Sequence, residues 1–247
     1  MADFSERGIV LKRSDYGENN CMLSIFTKDS GIVKAVIYGV KRGKNNSKAA
    51  SGQFLCYGDY DLYGGRGGAA SVNGVNIIDA FLPVSNDISK LALCAYMAET
   101  VITMLGENNP DERLFGIFLN CVYALAYRDD DIMKVKSAFE LKLMCAEGYT
   151  PVMGSCVKCG SEEITSFDSR GGGMVCASCA GGTSRRISAA TYRALYYLIS
   201  CPDKKMLSFN GNDKLISEIG TISESYLLEQ CDRGFKSLDY FKAVKDI

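Results

Sequence analysis

The chain has 247 residues, of which 47% are hydrophobic, and its 28 basic and 29 acidic residues give a net charge of −1. This length allows one large domain or two to three small ones, and the near-neutral charge excludes a global basic field that would attract nucleic acid. The chain contains no histidine, which excludes Ser-His-Asp and Cys-His catalysis and every metal site that needs an imidazole ligand.

Motifs of common nucleotide-binding and hydrolase sites are also missing from the sequence. It contains no G-x-x-x-x-G-K-[ST] loop and no G-x-S-x-G elbow. We therefore do not expect an enzyme. There is no apolar run of about twenty residues, the length that spans a membrane, and no N-terminal signal pattern. These features predict a soluble, cytoplasmic protein with no membrane partner.

Residues 7 to 80 show the alternation that is typical of short β-strands. Apolar and polar residues alternate in five runs, which lie at 7–13, 21–27, 32–40, 53–63 and 71–80. Asp29, Ser30 and Gly31 form a hairpin signal between the second and third runs. Five short strands of this kind predict a small closed barrel over residues 1–80.

A polar loop between the third and fourth runs concentrates basic charge. Within eight positions that contain no acid, the chain carries Lys41, Arg42, Lys44 and Lys48. A flexible basic loop on a small barrel can follow a phosphate backbone, although a solvated hairpin is the alternative. This DNA-binding surface would be extended from nearby strands by Lys12, Arg13 and Lys34. Base stacking and packing, in the core or at the rim of the barrel, are the two roles open to Tyr16, Tyr38 and Tyr57.

Beyond residue 82 the hydrophobic period becomes helical. One residue of the Ser-Asn-Asp run at 85–87 can cap a first helix that extends to Leu105. Pro110 is expected at the first position of a second helix, where its missing N–H costs nothing. The acidic run at 129–131 precedes a third helix that Gly148 closes. We assign this run to capping and solvation rather than to metal binding.

Two more helices follow nearer the C-terminus. One begins at Ser188 and ends before Pro202, and a longer one begins at Asn212 or Asp213. None of these helices can bury its apolar stripe alone, so we expect them to pack together. The prediction is a helical domain that is formed by residues 81–150 and 187–247.

The segment between the two halves of that domain, residues 151–186, contains two C-x-x-C pairs separated by sixteen residues. The four cysteines are Cys156, Cys159, Cys176 and Cys179. Two such pairs at this spacing predict a tetrahedral zinc site. Because four thiolates close the shell, we expect one structural Zn²⁺ per chain with no position for a catalytic water. The seven other cysteines lie in apolar surroundings and are expected to be buried free thiols.

Four stretches of the sequence resemble one protein family. They are GIVLKRSDYGENNCMLSIFTKDSGIVKAVIYGVKR at 8–42, FELKLMCAEGYTPVMGSCVKCG at 139–160, GGGMVCASC at 171–179 and RGFKSLDYF at 233–241. Together with the order of a barrel, helices and a cysteine insertion, they are similar to the RecO family of bacterial recombination mediators. The resemblance spans essentially the whole chain.

The resemblance implies an α+β, multi-domain protein with an oligonucleotide-binding (OB) type barrel, then a helical bundle interrupted by a zinc-binding segment with four cysteine ligands. It implies a DNA-repair protein, associated with the nucleoid, that binds single- and double-stranded DNA and anneals complementary strands. It further implies work with RecR in loading RecA onto DNA coated by single-strand-binding protein, whose acidic tail the family also binds.

Two other functions stay open from the sequence. The first is a zinc-stabilised adaptor whose barrel binds protein instead of DNA. The second is a thiol oxidoreductase that would use Cys156 and Cys159. A single redox pair needs no second C-x-x-C, and no thioredoxin-like βαβ pattern surrounds this one.

Overall fold

The computed structural model describes residues 3–40, 50–64 and 68–245. The chain begins with a five-stranded barrel, which confirms the predicted OB-type fold. Its strands are β1 (Asp3–Tyr16), β2 (Asn20–Thr27), β3 (Gly31–Ile37), β4 (Tyr57–Tyr63) and β5 (Ala70–Asp79). The barrel closes in the order β1-β2-β3-β5-β4, and only the β3–β5 pair is parallel.

Alternate side chains of the strands fill the barrel interior. The buried set is Val10, Leu23, Ile25, Val33, Ala35, Ile37, Cys56, Tyr60, Leu62 and Ala70. Tyr60 places its hydroxyl inside the protein, where it donates to the carbonyls of Ser51 at 3.1 Å and Cys56 at 2.9 Å. A buried hydroxyl without partners would be costly, so these two bonds allow an aromatic ring at the centre of the barrel.

The contacts divide the chain into two compact units, one with the residues up to 115 and those from 235 onward, the other with residues 116–234. Beyond the barrel, the described part of the first unit contains the helices α1 (Leu82–Ser85), α2 (Ile88–Leu105) and α7 (Lys236–Val244). Of the three predicted caps for α2, the structure uses Asp87, whose carboxylate accepts from the amides of Ser89 and Lys90. The three-part domain organisation remains a prediction.

Helix α2 is long and apolar enough to cross a membrane by length and composition alone. Half of it is buried inside the protein, as in the core helix of a soluble protein. It packs against α7, where the rings of Tyr96 and Phe235 meet edge to face at 5.9 Å. Ser89 also donates a 3.0 Å hydrogen bond to the carbonyl of Val244. The apolar residues of α2 are therefore explained by packing within the first unit.

Helix α3 (Glu112–Tyr127) leads into the second unit, which also contains α4 (Ile132–Ala146), α5 (Ala189–Ser200) and α6 (Asp213–Cys231). The prediction that Pro110 opens α3 is wrong, because the helix begins at Glu112 and the Asp111 carboxylate accepts from the Leu114 amide at 2.8 Å. The next three helices are capped where the sequence predicts their starts: by Asp131 of the acidic run, by Ser188, and by Asn212 rather than Asp213.

Helix α4 carries charges into the core of the second unit. Lys136 and Glu140, both fully buried, form an ion pair of 2.7 Å one helical turn apart. Lys136 also reaches Glu224 on α6 at 2.9 Å, and Ser223 of α6 donates to Glu140 at 2.6 Å. This network joins α4 to α6, and the sequence did not predict it because these positions resemble ordinary surface charges.

The cysteine segment contains a small antiparallel sheet in the order β7-β6-β8. Its strands are β6 (Ile164–Asp168), β7 (Gly173–Cys176) and β8 (Ser184–Arg186). Val152 pairs with Gly173 outside the sheet, and a Cβ at Gly173 would come within 2.3 Å of the Val152 carbonyl oxygen. The close approach of the chain entering the segment therefore requires glycine at this position.

Candidate metal centre and barrel surface

The four cysteines of the two C-x-x-C pairs converge, as their spacing predicts. Their sulfur atoms all lie within 4.8 Å of one another, and the Cys159 and Cys176 sulfurs are 3.6 Å apart. In a tetrahedral zinc–thiolate shell with bonds of about 2.3 Å, the sulfurs lie about 3.8 Å apart. The sulfur positions fit such a shell, so these four residues could hold a metal ion.

Each pair lies on a tight turn. In the first, the Gly160 amide donates to the Cys156 carbonyl at 2.8 Å, and Gly160 takes a φ of +78° that favours glycine. In the second, which begins at the end of β7, the amides of Cys179 and Ala180 both turn back to the Cys176 carbonyl. These turns bring the two thiols of each pair to the same side of the backbone.

An ion pair that the sequence did not reveal ties the two turns together. Lys158, inside the first turn, contacts the buried carboxylate of Asp168 at 2.8 Å and donates to the Cys179 carbonyl of the second turn at 3.1 Å. Asp168 also accepts from the Thr183 hydroxyl and the Gly171 amide. These four residues lie at irregular spacings along the chain, so no short motif could have indicated them.

Hydrogen bonds control the charge of Asp168. Burial alone would raise the pKa of its carboxyl, but the bonds from Lys158, Thr183 and the Gly171 amide outweigh burial and lower this pKa to about 2. Asp168 is therefore charged at neutral pH although its side chain is 2% exposed. It acts as a structural anion that holds the cationic side chain of the first turn in place.

The thiols of the cluster differ in acidity. Backbone amides, with that of Cys176 first, lower the pKa of Cys156 to about 6. Contacts with the thiols of Cys159 and Cys176 raise the pKa of Cys179 to about 12. The first thiolate therefore forms easily, and the last is disfavoured by its sulfur neighbours. A divalent cation at the centre would offset this repulsion, as in other thiolate sites.

The seven remaining cysteines are free thiols. Five of them are buried, as predicted, and burial raises the pKa of Cys94 in particular. The prediction is wrong for Cys201 and Cys231, which are only half-buried. At Cys56 and Cys94, where burial raises the pKa of the thiol, the thiolate that redox chemistry and metal binding require is disfavoured.

On the barrel, Lys12, Ser24 and Lys34 lie in register across β1, β2 and β3. Residues paired in this way point to the same face of a sheet, and two strand spacings separate the lysines by about 10 Å. Lys34 forms an ion pair of 3.3 Å with Glu107. Lys12 and its neighbour Arg13 are exposed and form no ion pair with any residue that the structure describes.

Lys12 and Arg13 also line an open cavity of about 850 Å³ beside helix α2. Its apolar wall includes Leu11, Phe54 and Ile102, and two acids, Asp15 and Glu99, also line it. Cationic side chains thus stand next to apolar surface at one side of the barrel. The other four predicted DNA-binding residues lie outside the described residues, and their role stays a prediction: Lys41, Arg42, Lys44 and Lys48.

The three candidate stacking tyrosines divide into two groups. Tyr16 and Tyr38 are exposed. Tyr57 packs its ring against Phe81 and Phe115, each with a centroid distance of 6.4 Å. Packing, the alternative role that the sequence left open, is therefore the one that Tyr57 takes.

Comparisons with known proteins place both parts of the chain in one family. Residues 1–81 match the family model described as "Recombination protein O N terminal", and residues 85–239 match "Recombination protein O C terminal". The chain is 31% identical over 244 residues to the "DNA repair protein RecO" of Acetivibrio thermocellus, covering 97% of this chain and 96% of the relative. Proteins with the same name in Clostridium acetobutylicum and Oceanobacillus iheyensis are 29% identical over 250 residues and 30% identical over 229. The two alignments cover 100% and 92% of this chain, and 100% and 86% of the respective relatives.

Proposed function

This chain belongs to the RecO family, and we propose that it acts as a recombination mediator that binds and anneals DNA without converting a substrate. A role in DNA repair follows from the family. The finer proposal is that the protein binds single- and double-stranded DNA and anneals complementary strands. Together with RecR it would help to load RecA onto DNA coated by single-strand-binding protein.

The observation that carries this proposal is the pair of exposed cations, Lys12 and Arg13, on strand β1 of the closed barrel. Lys12 and Arg13 are exposed and form no ion pair with a described residue, although Asp15 and Glu99 line the same cavity. Annealing requires that phosphate repulsion between two strands is screened while the base edges remain free to pair. Unpaired cations on a rigid sheet supply this screening without covering the bases.

Two further proposals concern the metal and the protein partners. The four cysteines would hold one structural Zn²⁺, which would contribute directly to the folding of residues 151–186. The tail of single-strand-binding protein, which is acidic and apolar, needs a cationic rim beside an apolar wall. The cavity at Lys12 and Arg13 offers both.

The adaptor function is favoured by a different observation. Ile78, Leu82 and Ile88, near the end of β5 and the start of α2, are exposed, and Leu82 reaches 62%. Exposed apolar side chains that lie near one another in sequence can mark a protein-binding surface. If the barrel bound only protein, purified material would not bind DNA at any salt concentration, with or without RecR.

A salt titration of DNA binding tests the proposal. The variant Lys12→Ala/Arg13→Ala should bind labelled single-stranded DNA more weakly, and its slope of log affinity against log salt should fall by roughly 1.4, about 0.7 for each lost phosphate contact. The control is Arg7→Ala/Lys28→Ala, which changes the net charge equally. Both control residues are already paired, with Asp59 and Glu112 respectively.

Two results would count against the barrel surface. One is an equal loss of slope in the test and control variants, which would indicate a general charge effect. The other is unchanged binding by the test variant. A second variant, Glu107→Gln, should have the opposite effect. It releases Lys34 from its ion pair, which should strengthen DNA binding and steepen the salt slope.

A further inference from the structure

Helix α5 and strand β8 carry an aromatic and cationic surface in the second unit. The rings of Tyr192 and Tyr196, one helical turn apart, lie nearly parallel at 22° with centroids 6.2 Å apart. The Tyr192 hydroxyl donates to the Met153 carbonyl at 3.1 Å, which fixes its ring. Tyr196 keeps 53% of its surface exposed. The Tyr192 ring is therefore held in place by a hydrogen bond, and the neighbouring Tyr196 ring is accessible to a ligand.

Two exposed arginines, Arg186 and Arg193, lie near these two tyrosines. Arg186 and Tyr192 line the same open cavity of about 600 Å³. Arg193 and Tyr196 are neighbours on the helix surface at positions i and i+3. Both arginines are exposed, and neither forms an ion pair within the described ranges. We call Arg186, Tyr192, Arg193 and Tyr196 the α5 platform.

The charge of the surrounding sequence supports an anionic ligand. Residues 169–202 contain four arginines, no lysine and no acidic residue, although the whole chain has a net charge of −1. One acid, Glu162, lines the cavity beside Arg186. Arginine presents a planar fork that matches phosphate and also stacks on aromatic faces. Stacked rings together with unpaired arginines are the combination that binds single-stranded polynucleotides.

We propose that the α5 platform is a contact for single-stranded polynucleotide, separate from the barrel. A base stacks on the exposed ring of Tyr196, while Arg193 and Arg186 contact the flanking phosphates. The inference rests on the proposed DNA-binding function and adds a second contact, so that one molecule can engage two strands or two points of one strand. Duplex DNA gains only the arginine contacts, because its bases are already stacked.

Substitution of the exposed ring separates stacking from charge. In the full-length, zinc-loaded protein, Tyr196→Ala should weaken binding of a labelled oligothymidylate at low salt at least about five-fold. It should leave binding of a duplex of the same length unchanged, and Tyr196→Phe should bind both as the wild type does. Arg186→Ala/Arg193→Ala should weaken both and lower the single-strand salt slope by roughly 1.4.

A matched control exists on α3. Tyr123 is also 53% exposed and also contacts a tyrosine one turn away, Tyr127, at 5.2 Å. That pair is followed by the acidic run at 129–131 rather than by unpaired arginines. Tyr123→Ala should therefore bind the oligothymidylate as the wild type does.

The absence of tryptophan from the chain allows a second measurement that does not depend on the alanine variant folding. With Tyr196→Trp, the single indole should lose fluorescence when oligothymidylate is added, because a base stacks on it. With Tyr123→Trp it should not. Quenching at both positions, or at neither, would overturn the proposal.

The outcomes also distinguish this inference from the proposed function. If Tyr196→Ala binds single strands normally while Lys12→Ala/Arg13→Ala does not, the platform is refuted and the barrel surface stands. If Tyr196→Ala weakens single-stranded and duplex binding equally, stacking is refuted. If the wild type binds no DNA and the α5 platform instead binds an acidic peptide, both proposals fail.

Discussion

At the residue scale, two side chains of opposite charge connect the two turns of the cysteine segment, residues 151–186. Lys158 lies between the cysteines of the first turn and joins that turn to Cys179 in the second and to Asp168 on β6. Asp168 in turn fixes Gly171 and Thr183 around it. The turns therefore have a connection through protein groups that does not depend on the metal.

The lowered pKa of Asp168 leads to a prediction about stability. Its folded-state value of about 2 lies below the ordinary value of 3.8. The difference contributes about 2 kcal/mol, which is present above pH 4 and is lost as the pH falls toward 2. Asp168→Asn should therefore lower the free energy of unfolding by about 2 kcal/mol at neutral pH, measured by urea unfolding with metal bound. Asp59→Asn, which loses an exposed ion pair, should lower the free energy of unfolding by much less.

Two glycines with the same backbone conformation isolate a steric effect. Gly31 and Gly39 have φ values of +71° and +74°. A Cβ at Gly31 would come within 2.2 Å of the Asn109 carbonyl oxygen, whereas a Cβ at Gly39 would meet nothing within 4 Å. Gly39→Ala should cost about 1–2 kcal/mol for the left-handed conformation alone. Gly31→Ala should cost at least about 2 kcal/mol more, because backbone must move. Equal urea midpoints would contradict this.

At the scale of elements, the buried charges of α4 determine how it pairs with α6. Lys136 faces burial that by itself lowers its pKa, but Glu140 and Glu224 outweigh this effect and raise the pKa above its ordinary value. Lys136 is therefore charged in the core, and it forms ion pairs with both Glu140 and Glu224. Apolar side chains could slide along one another, whereas this network has one register.

Replacing Lys136 should show how much its ion pairs with Glu140 and Glu224 contribute to the free energy of unfolding. Lys136→Met leaves Glu140 buried without its ion-pair partner and should cost about 3–5 kcal/mol in urea unfolding. Lys136→Met/Glu140→Gln should recover at least half of this loss, because the amide can still accept from Ser223. A double variant no more stable than the single one would show that packing, rather than charge, explains the loss.

The helices show what the sequence can predict at this scale. Three helix starts could be predicted, at the run 129–131, at Ser188 and at Asn212 or Asp213, because a capping residue type coincides with the start of a helical period. The structure then selects Asp131, Ser188 and Asn212 as the caps. Helix α7 was not predicted, since Phe235 precedes it without a side-chain cap and the helix has only nine residues. Strands β6 to β8 have three to five residues each, too few for a period to show.

The candidate sites likewise contain some features that the sequence could predict and others that it could not. The cysteine cluster could be predicted because its ligands form a local motif with a fixed spacing. Asp168 could not, because its partners come from three separate turns. The platform on α5 also escaped prediction: Tyr192 and Tyr196 share the spacing of core residues, and only their position in the fold shows that the second ring is exposed.

At the scale of the whole molecule, the division into two units means that the cysteine cluster and the barrel belong to different compact bodies. Every barrel strand is hydrogen-bonded to strands within the first unit. The cysteine segment, residues 151–186, in contrast has a small core whose buried members are Val175, Cys156 and Cys176. Local stability should therefore respond to the metal in one unit and not in the other.

Removal of the metal tests this independence. After treatment with a chelator, backbone amides of β6 and β7 should exchange with deuterium at least about tenfold faster, because the metal contributes directly to folding the segment. Amides of β1 to β5 should exchange as before, measured by mass spectrometry of peptides. Cys176→Ser should reproduce the effect and contain no zinc by elemental analysis, whereas Cys201→Ser, outside the cluster, should keep one zinc per chain. Faster exchange in the barrel peptides as well would show that both units unfold together and that the metal stabilises the whole chain.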